Sequence, residues 1–263
     1  MVNHILWRSK QYLSYILESK NTHGIHSPFV FDLLNNIVYN DMPFYSFRAI
    51  ETYRKALKLN NEEIIVEDYG AGSSFNAGQK RKINQILQQS VKREKYAQLL
   101  FRLAERRQPE DIVELGTCLG ITTLYLSSAC PKSTITSIEG SKNIAGFANN
   151  VFKKFKKKNI ELITGKFQDV IPSLSEKQKQ SDFVFFDGHH DKKATLDYFN
   201  QFVGYAGENA LYVFDDIHWS PGMKEAWNLI KEHEKVSLTI DLFEMGLVFF
   251  MPRNQKENFV IRF

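Results

Sequence analysis

The sequence is poor in cysteine, and this scarcity excludes the protein classes that depend on it. Only Cys118 and Cys130 are present among 263 residues. Two cysteines cannot build a disulfide scaffold or a cysteine-ligated metal cluster, and they are typical of proteins in a reducing compartment. Internal repeats and low-complexity linkers are also missing. The composition therefore predicts a globular cytoplasmic protein.

Long apolar runs are missing too. None approaches the ~18 residues that a membrane-spanning helix needs. The first residues, MVNHILWRSKQYLSYIL, lack the apolar core and small-residue cleavage site of a signal peptide, and their spacing favours an amphipathic helix. We therefore expect no membrane partner.

The excess of positive charge is small, at +4. The densest basic run, KKFKKK at 153–158, is compatible with nucleic-acid contact or with the solvated end of a helix. The helix end is favoured because no other nucleic-acid motif accompanies the run. We expect no nucleic-acid partner.

Short apolar runs of strand type alternate with segments of helical spacing from about residue 110. The strand-type runs are 111–115, 134–139, 160–164, 182–187 and 210–215, and the helical segments include 121–129, 141–157 and 192–204. This alternation predicts βαβ units and a parallel sheet covered on both faces.

The two ends of the chain differ from this pattern. After a helix near 221–233, β-like stretches on either side of Met245-Gly246 predict an antiparallel hairpin at the sheet edge. Four helices and one short strand are predicted in the first hundred residues, at 3–18, 28–38, 46–58, 91–107 and 63–67. The predicted fold class is therefore α/β. It combines a Rossmann-like, doubly wound, mostly parallel sheet and a C-terminal antiparallel hairpin (91–263) with an N-terminal helical extension (1–90).

Two glycine loops compete for a nucleotide-type cofactor. EDYGAGSSF at 67–75 follows a short apolar run, but no acidic strand end follows before the second loop begins. In VELGTCLGITT at 113–123 a strand precedes the loop and a helix follows it. Gly116 permits the turn there, and Gly120 lets helix and ligand approach closely. This second loop is the predicted cofactor loop. The first, with Gly70 and Gly72, is either a connecting turn or a loop over the mouth of the site.

Acidic residues near the second loop indicate which cofactor it binds. Glu139 ends the next strand, where a carboxylate can accept hydrogen bonds from both ribose hydroxyls. Glu114 is placed to meet a cationic amine or sulfonium. The glycine spacing is not G-x-G-x-x-G, which weakens a dinucleotide interpretation. These features favour S-adenosylmethionine over NAD.

Four segments together carry a family resemblance: KYAQLLFRLAERRQPEDIVELGTCLGITT, GKFQDVIPSL, FVFFDGHH and YVFDDIHWS. Over roughly 92–251 the chain resembles class I S-adenosylmethionine-dependent methyltransferases, in particular the catechol and caffeoyl-CoA O-methyltransferases and the sugar O-methyltransferases of macrolide pathways. The whole chain also resembles an uncharacterised bacterial group that shares HSPFVFDLL, GAGS and FDDIHWS and is predicted to consist of methyltransferases.

The pattern and the resemblance together imply a set of cofactor contacts. They are Glu114, Gly116, Thr117, Gly120, Glu139, Gly140, Phe167, Gln168 and Asp187. Gln168 resembles the glutamine that meets the adenine ring, and Phe167 either stacks on that ring or presents its backbone. The alternative is that Phe167 and Gln168 only start the helix before Pro172.

Three aspartates follow two predicted strands. Asp187, Asp215 and Asp216 stand at carboxyl ends, the edge where open α/β sheets hold ligands. They would repel one another without a cation, and a hard ion such as Mg²⁺ prefers oxygen ligands. By resemblance these positions correspond to the metal ligands of catechol-type enzymes, where the last is usually Asn. Capping of the following turn and helix is the alternative role.

His190 lies three residues past Asp187, where the catechol-type enzymes carry the lysine that takes the substrate proton. Histidine titrates near neutral pH and can replace that base. His189 and His218 are the competing candidates, and His218 is also a candidate for lining the acceptor pocket with Trp219. His23 and His26 either belong to a lid that reaches the active site or, in the favoured interpretation, are surface or capping residues.

The sequence thus predicts an O-methyltransferase that acts on a small-molecule hydroxyl with a divalent metal and a histidine base. The alternatives are a metal-independent methyltransferase and a non-catalytic protein that binds S-adenosylmethionine. N-methylation of a nucleic-acid base is disfavoured because DGHH lacks the Pro-Pro-aromatic signature. Methylation at C5 of a pyrimidine needs a nucleophilic cysteine beside a proline in an accessible loop, whereas Cys130-Pro131 is interpreted as a helix stop. A homodimer is possible, because members of the family are often dimers.

Overall fold

The protein is described by a computed structural model that covers residues 2–67, 78–177 and 181–263. The loop with Gly70 and Gly72 therefore lies outside the described residues. The chain forms two compact units, Met1–Asn40 with Leu174–Phe263 and Asp41–Ser173. The division into 1–90 and 91–263 stays a prediction.

The N-terminal part is helical, as predicted. Its elements are α1 (Val2–Glu18), a 3₁₀ turn (Thr22–Gly24), α2 (Pro28–Leu33, continuing as a π-helical turn over Leu34–Val38) and α3 (Tyr45–Lys58). Ser27 precedes Pro28 at the N-cap position, but its side chain makes no capping hydrogen bond.

The remaining elements alternate in type. They are β1 (Glu63–Val66), β2 (Gln79–Lys82), α4 (Ile83–Ser90), α5 (Glu94–Arg107), β3 (Asp111–Leu115), α6 (Ile121–Ala129), β4 (Thr134–Glu139), α7 (Lys142–Lys154), β5 (Ile160–Thr164), α8 (Phe167–Lys177), β6 (Phe183–Phe186), α9 (Lys192–Val203), β7 (Leu211–Asp215), α10 (Pro221–Glu232), β8 (Leu238–Asp241), β9 (Met245–Phe249) and β10 (Glu257–Val260).

In the unit Asp41–Ser173, three parallel strands carry the predicted cofactor loop. β4 lies between β3 and β5, so the ends of all three strands fall at one edge. β3 and β4 are buried on both faces, as expected of parallel strands that are covered by helices. The basic run 153–158 lies at the end of α7, as predicted.

The short strand predicted at 63–67 is confirmed as β1, but its antiparallel partner was missed by the sequence analysis. β1 pairs with β2, whose sequence QKRK contains no apolar residue. Backbone pairing with β1 makes it a strand, and the period-2 alternation of apolar side chains that reveals strands is absent.

In the other unit the strand order is β10-β8-β9-β7-β6. β6 and β7 are parallel, and β9 runs antiparallel to both β7 and β8. The predicted hairpin is therefore present, but its predicted place at the edge is wrong, because β10 pairs parallel with the outer side of β8. Pairing along the outside of a hairpin depends on a long-range register that a single sequence does not reveal.

The fold class, α/β with a mostly parallel sheet, is confirmed. Among the described residues, no helix is both long and apolar enough to cross a bilayer.

Candidate active site

A tight turn follows β3 and carries the predicted cofactor loop. Gly116 has φ 109°, in the range that favours glycine. The amides of Gly116 and Thr117 both donate to the carbonyl of Ile138, at 3.0 and 3.2 Å. The turn is thereby fastened to β4, and its backbone is fixed before any ligand arrives.

Gly120 ends the turn as the N-cap of α6, with φ 76°. A Cβ at this position would lie 2.6 Å from Cε1 of Phe152 on α7. Glycine is therefore required here both by the backbone conformation and by the close packing of two helices. Ligand approach, the predicted reason, is an additional one.

The carboxylate of Glu139 is oriented by two backbone amides. Cys118 donates to Oε2 at 2.9 Å, and Ser141 donates to Oε1 at 3.0 Å, across the bend at Gly140. Each carboxylate oxygen can accept a further hydrogen bond. Both oxygens of Glu139 are thus fixed at the end of β4 with capacity left for a diol.

Glu114 is completely buried beneath the turn. Its Oε2 accepts hydrogen bonds from Thr123 at 2.5 Å and from Ser137 at 2.6 Å. Its Oε1 is buried without a hydrogen-bond partner among the described residues. Burial raises the pKa of the Glu114 carboxyl to about 7, although the two hydroxyl donors act in the opposite direction. A buried carboxylate oxygen without a hydrogen-bond partner is suited to a cationic or proton-donating group of a ligand.

Phe167 and Gln168 form the first turn of α8. Phe167 is half-buried and Gln168 is exposed. Gly165, just before them, donates to the backbone carbonyl of Glu139 at 3.0 Å, so α8 begins beside the end of β4. The prediction that these residues start a helix is confirmed, and their contact with an adenine ring stays a prediction.

The predicted cofactor residues thus fall into two groups. Eight of them lie in the unit Asp41–Ser173, at or after the carboxyl ends of β3, β4 and β5. Asp187 belongs to the other unit, where it follows β6.

In that other unit, carboxylates and an imidazole converge after β6 and β7. Asp187, His190 and Asp215 each offer one ligand atom, and these three atoms lie within 4.8 Å of one another. Asp215 ends β7 and is only 2% exposed. Asp216 joins the group from the next position, with its Oδ2 4.0 Å from Nδ1 of His190. We call these four residues the acid cluster.

The backbone at the acid cluster is strained. His189, His190 and Asp216 have φ values of 68°, 25° and 53°. Residues other than glycine rarely adopt such angles, and strain of this kind gathers at functional sites. The three residues whose ligand atoms all lie within 4.8 Å of one another are Asp187, His190 and Asp215. The sequence had predicted Asp216 as the third ligand in place of His190.

The competing histidines have contacts of their own. Nδ1 of His189 lies 2.9 Å from Oη of Tyr198. His218 is buried, and its Nε2 lies 2.7 Å from Oδ2 of Asp241. Its interpretation as a residue that lines the acceptor pocket stays a prediction. His23 and His26 are exposed.

Cys130 ends α6 and is fully buried. Its Sγ lies 3.3 Å from the carbonyl oxygen of Ala104, and burial raises the pKa of its thiol to about 11. A thiol this hard to ionise is a poor nucleophile, which agrees with its interpretation as a helix stop.

Small hydroxyl residues around the turn were missed by the sequence analysis. Thr123 and Ser137 hold Glu114, Thr117 Oγ1 lies 2.6 Å from Ser137 Oγ, and Ser141 caps α7. Serine before the LysAsnIle stretch that opens α7 is an N-cap signal. The other hydroxyls are single polar positions in apolar elements and carry no recognisable pattern.

A parallel β-α-β arrangement with a glycine turn and an acidic strand end defines a Rossmann-like fold. Solved structures share it. The O-methyltransferase TomG from Streptomyces achromogenes, in complex with S-adenosylmethionine, is 16% identical with a TM-score of 0.56, covering 85% of this chain and 95% of that one. The O-methyltransferase from Bacillus cereus, in complex with S-adenosylhomocysteine, is 16% identical with a TM-score of 0.54, covering 80% and 93%.

Residues 113–217 match the sequence model of the family described as "Methyltransferase domain". The catechol O-methyltransferase of Niastella koreensis is 30% identical over 126 residues, 47% of this chain and 55% of the relative. The transmembrane O-methyltransferase homolog of Mus musculus is 36% identical over 80 residues, 29% of this chain and 31% of the relative. The aligned region therefore spans about half of one curated relative and a third of the other. The predicted resemblance to class I O-methyltransferases is confirmed.

Proposed function

We propose that the chain is an S-adenosylmethionine-dependent methyltransferase that methylates a hydroxyl of a small molecule, with a divalent ion at the acid cluster and His190 as the proton acceptor. One observation carries the proposal. The methyltransferase-domain match begins within β3, before the glycine turn, and ends just past Asp216. It therefore includes both the predicted cofactor turn and the acid cluster.

The residues of the turn fit the proposed methyl donor. S-adenosylmethionine supplies a methyl group on a cationic sulfonium and presents a ribose diol. Glu139 has two fixed carboxylate oxygens for the diol. Glu114 has a buried oxygen available for the cationic end. Phe167 and Gln168 are proposed to meet the adenine at the start of α8.

The acid cluster fits a divalent cation by the chemistry of its donors. Carboxylates at one strand end repel one another, and a cation relieves that repulsion. Asp187 and Asp215 would hold the ion, with Asp216 completing the protein ligands. A bound divalent ion lowers the pKa of a coordinated hydroxyl and orients it.

His190 is placed to take the proton of the acceptor hydroxyl. Its two ring nitrogens lie 3.8 Å from Asp187 and 4.0 Å from Asp216. A general base of this type contributes about 10²–10⁴-fold to the rate.

The acceptor class is proposed from the relatives, which are named as catechol and other O-methyltransferases. A cytoplasmic location and a homodimer are also proposed. Light scattering on the purified protein tests the homodimer.

The deciding experiment has two stages. Calorimetry with S-adenosylmethionine measures binding first, and absence of binding rejects the proposal. Labelled S-adenosylmethionine is then offered with catechols, other phenols and glycosides, with Mg²⁺ or with EDTA. Binding without transfer to any hydroxyl supports a non-catalytic binding protein. Undiminished transfer in EDTA supports a metal-independent enzyme.

A further inference from the structure

The loop that joins β8 to β9 is an unusually strained turn. Phe243 has φ 69°, and Glu244 donates its amide to the carbonyl of Leu242 at 3.0 Å. This i to i+2 bond around a positive φ is a γ-turn of the rare, strained kind. A bulky residue persists in such a conformation only when its surroundings hold it there.

The strained turn is bonded directly to the acid cluster. Asp216 donates its amide to the carbonyl of Glu244 at 2.6 Å. The carbonyl of Asp216 in turn accepts the amide of Trp219 at 2.8 Å. Asp216 itself has a positive φ. The orientation of Asp216 beside His190 therefore depends on where the Phe243–Glu244 turn lies.

Three aromatic rings contact Phe243. The imidazole of His218 stacks on it, with 5.1 Å between centroids and 11° between planes. The rings of Tyr12 and Tyr15 of α1 have their centroids at 5.0 and 5.2 Å. The His218 ring, which bonds Asp241, and the two tyrosine rings of α1 thus pack on Phe243.

α1 also contacts Glu244 and Trp219, the two residues to which the backbone of Asp216 is hydrogen-bonded. The guanidinium of Arg8 lies 3.4 Å from Oε1 of Glu244 and 5.0 Å from the ring of Trp219. Nε2 of His4 lies 2.8 Å from the carbonyl oxygen of Trp219. The first three turns of the helix thus contact both segments to which Asp216 is bonded.

We infer that α1 is a positioning element for the acid cluster: Arg8 and Tyr12 hold the Phe243–Glu244 turn in its strained form, and the turn holds Asp216 beside His190. The consequence for metal binding and turnover rests on the proposed function. The inference about the turn itself stands on the contacts alone. It gives the N-terminal helix a role at the metal and acceptor end of the protein.

The test compares two double variants of α1. The first is Arg8→Met with Tyr12→Ala, which removes both contacts. The matched control is Lys10→Met with Leu13→Ala, which removes a cation and a large apolar side chain from exposed positions of the same helix. A third variant, Arg8→Lys with Tyr12→Phe, keeps the charge and the ring and serves as the conservative rescue. All three are made in the full chain.

The first measurement is hydrogen exchange at the amide of Asp216. In the Arg8/Tyr12 variant we expect exchange to become at least about tenfold faster, the scale of releasing one strained backbone residue. We expect no change in the control and none in the conservative variant. Unchanged exchange in the Arg8/Tyr12 variant, or an equal increase in the control, overturns the inference.

The second measurement is the affinity for Mn²⁺ beside that for S-adenosylmethionine. We expect Mn²⁺ affinity to fall about tenfold, as for outer-shell residues at metal sites, while cofactor affinity is retained. An equal loss of both affinities indicates general destabilisation and overturns the positioning role. If the unaltered protein binds no Mn²⁺, the metal part of the proposed function fails, and hydrogen exchange alone still decides whether α1 positions Asp216.

Discussion

Nε2 of His190 lies 3.8 Å from Oδ1 of Asp187, three residues earlier in the chain. This separation is longer than the hydrogen-bond limit of about 3.2 Å. The carboxylate therefore does not occupy the nitrogen that is proposed to receive the proton. His190 has a positive φ of 25°.

His190→Gln should lower kcat by about 10²-fold or more, because the proton acceptor is lost while a side chain of similar size remains. Cofactor affinity should change less than about twofold, because the turn after β3 is intact. Steady-state kinetics and calorimetry measure the two quantities. His189→Gln is the matched control, since its ring bonds Tyr198. A larger loss of kcat in the His189 variant would move the base to that residue.

Glu139→Ala should weaken S-adenosylmethionine binding by about 1–3 kcal/mol, the scale for losing a buried hydrogen-bond partner. The change also removes the acceptor for the amides of Cys118 and Ser141. Calorimetry with the cofactor and with adenosine measures the loss. Glu161→Ala removes an exposed carboxylate from β5 in the same unit and should have no effect. Unaltered affinity in the Glu139 variant would place the ribose elsewhere.

Glu114 predicts how stability depends on pH. Its carboxyl has a pKa raised from 4.5 to about 7, so the folded state retains a proton that the unfolded state releases. The stabilisation is fully present below pH 4.5 and is lost as pH rises to about 7. Its scale is about 3 kcal/mol, from the linkage between pKa and free energy.

Denaturant titrations of the original protein and of Glu114→Gln between pH 4 and pH 8 measure this effect. The free energy of unfolding of the original protein should fall relative to that of the variant across that window. A constant difference between the two would mean that Glu114 does not titrate there. If Glu114 meets the cationic end of S-adenosylmethionine, binding near pH 6.5 should also release a proton, which calorimetry in buffers of different ionisation enthalpy detects.

The acid cluster predicts stabilisation by a metal. Mn²⁺ or Mg²⁺ should raise the melting temperature more at pH 7 than at pH 4, where protonated carboxylates no longer attract the ion. Asp215→Asn should weaken this response and leave S-adenosylmethionine bound. Asp197→Asn, at an exposed position of α9, is the control. An equal response to metal at both pH values would argue against carboxylate ligation.

The sequence predicted the alternating core well, because β3, β4, β6 and β7 are buried apolar runs with clear ends. Hydrophobic burial determines both their type and their length. Within the unit that contains β6 and β7, the order of residues places Asp187 and Asp215 after neighbouring parallel strands, and the structure brings both together with His190. The sequence did not predict where β10 lies in the sheet or that β2 is a strand. Both depend on backbone pairing with another strand, and the side chains of β10 and β2 give no sign of it.

The site's precise geometry was also beyond the sequence. The positive φ angles at His190 and Asp216 depend on the surrounding contacts. Histidine and aspartate adopt such angles more often than most residues, but their presence alone does not predict them. Gly120 was predicted for ligand approach, and its contact with Phe152 became visible only when α6 and α7 were packed. Likewise, the dependence of Asp216 on α1 joins residues more than two hundred positions apart.

The fastening of α1 to the last strand has a consequence for the order of folding. Tyr15 donates its hydroxyl to the carbonyl of Ile261 at 2.6 Å, across 246 positions, and Lys20 donates its amide to Val260. Contacts of such high sequence separation form slowly, because a long loop must close before they contribute. During synthesis the first helix therefore leaves the ribosome long before β8, β9 and β10 exist to receive it. Until those strands are synthesised, the apolar face of α1 is exposed and prone to aggregation. We therefore expect the yield of soluble protein to depend on how fast the chain is completed.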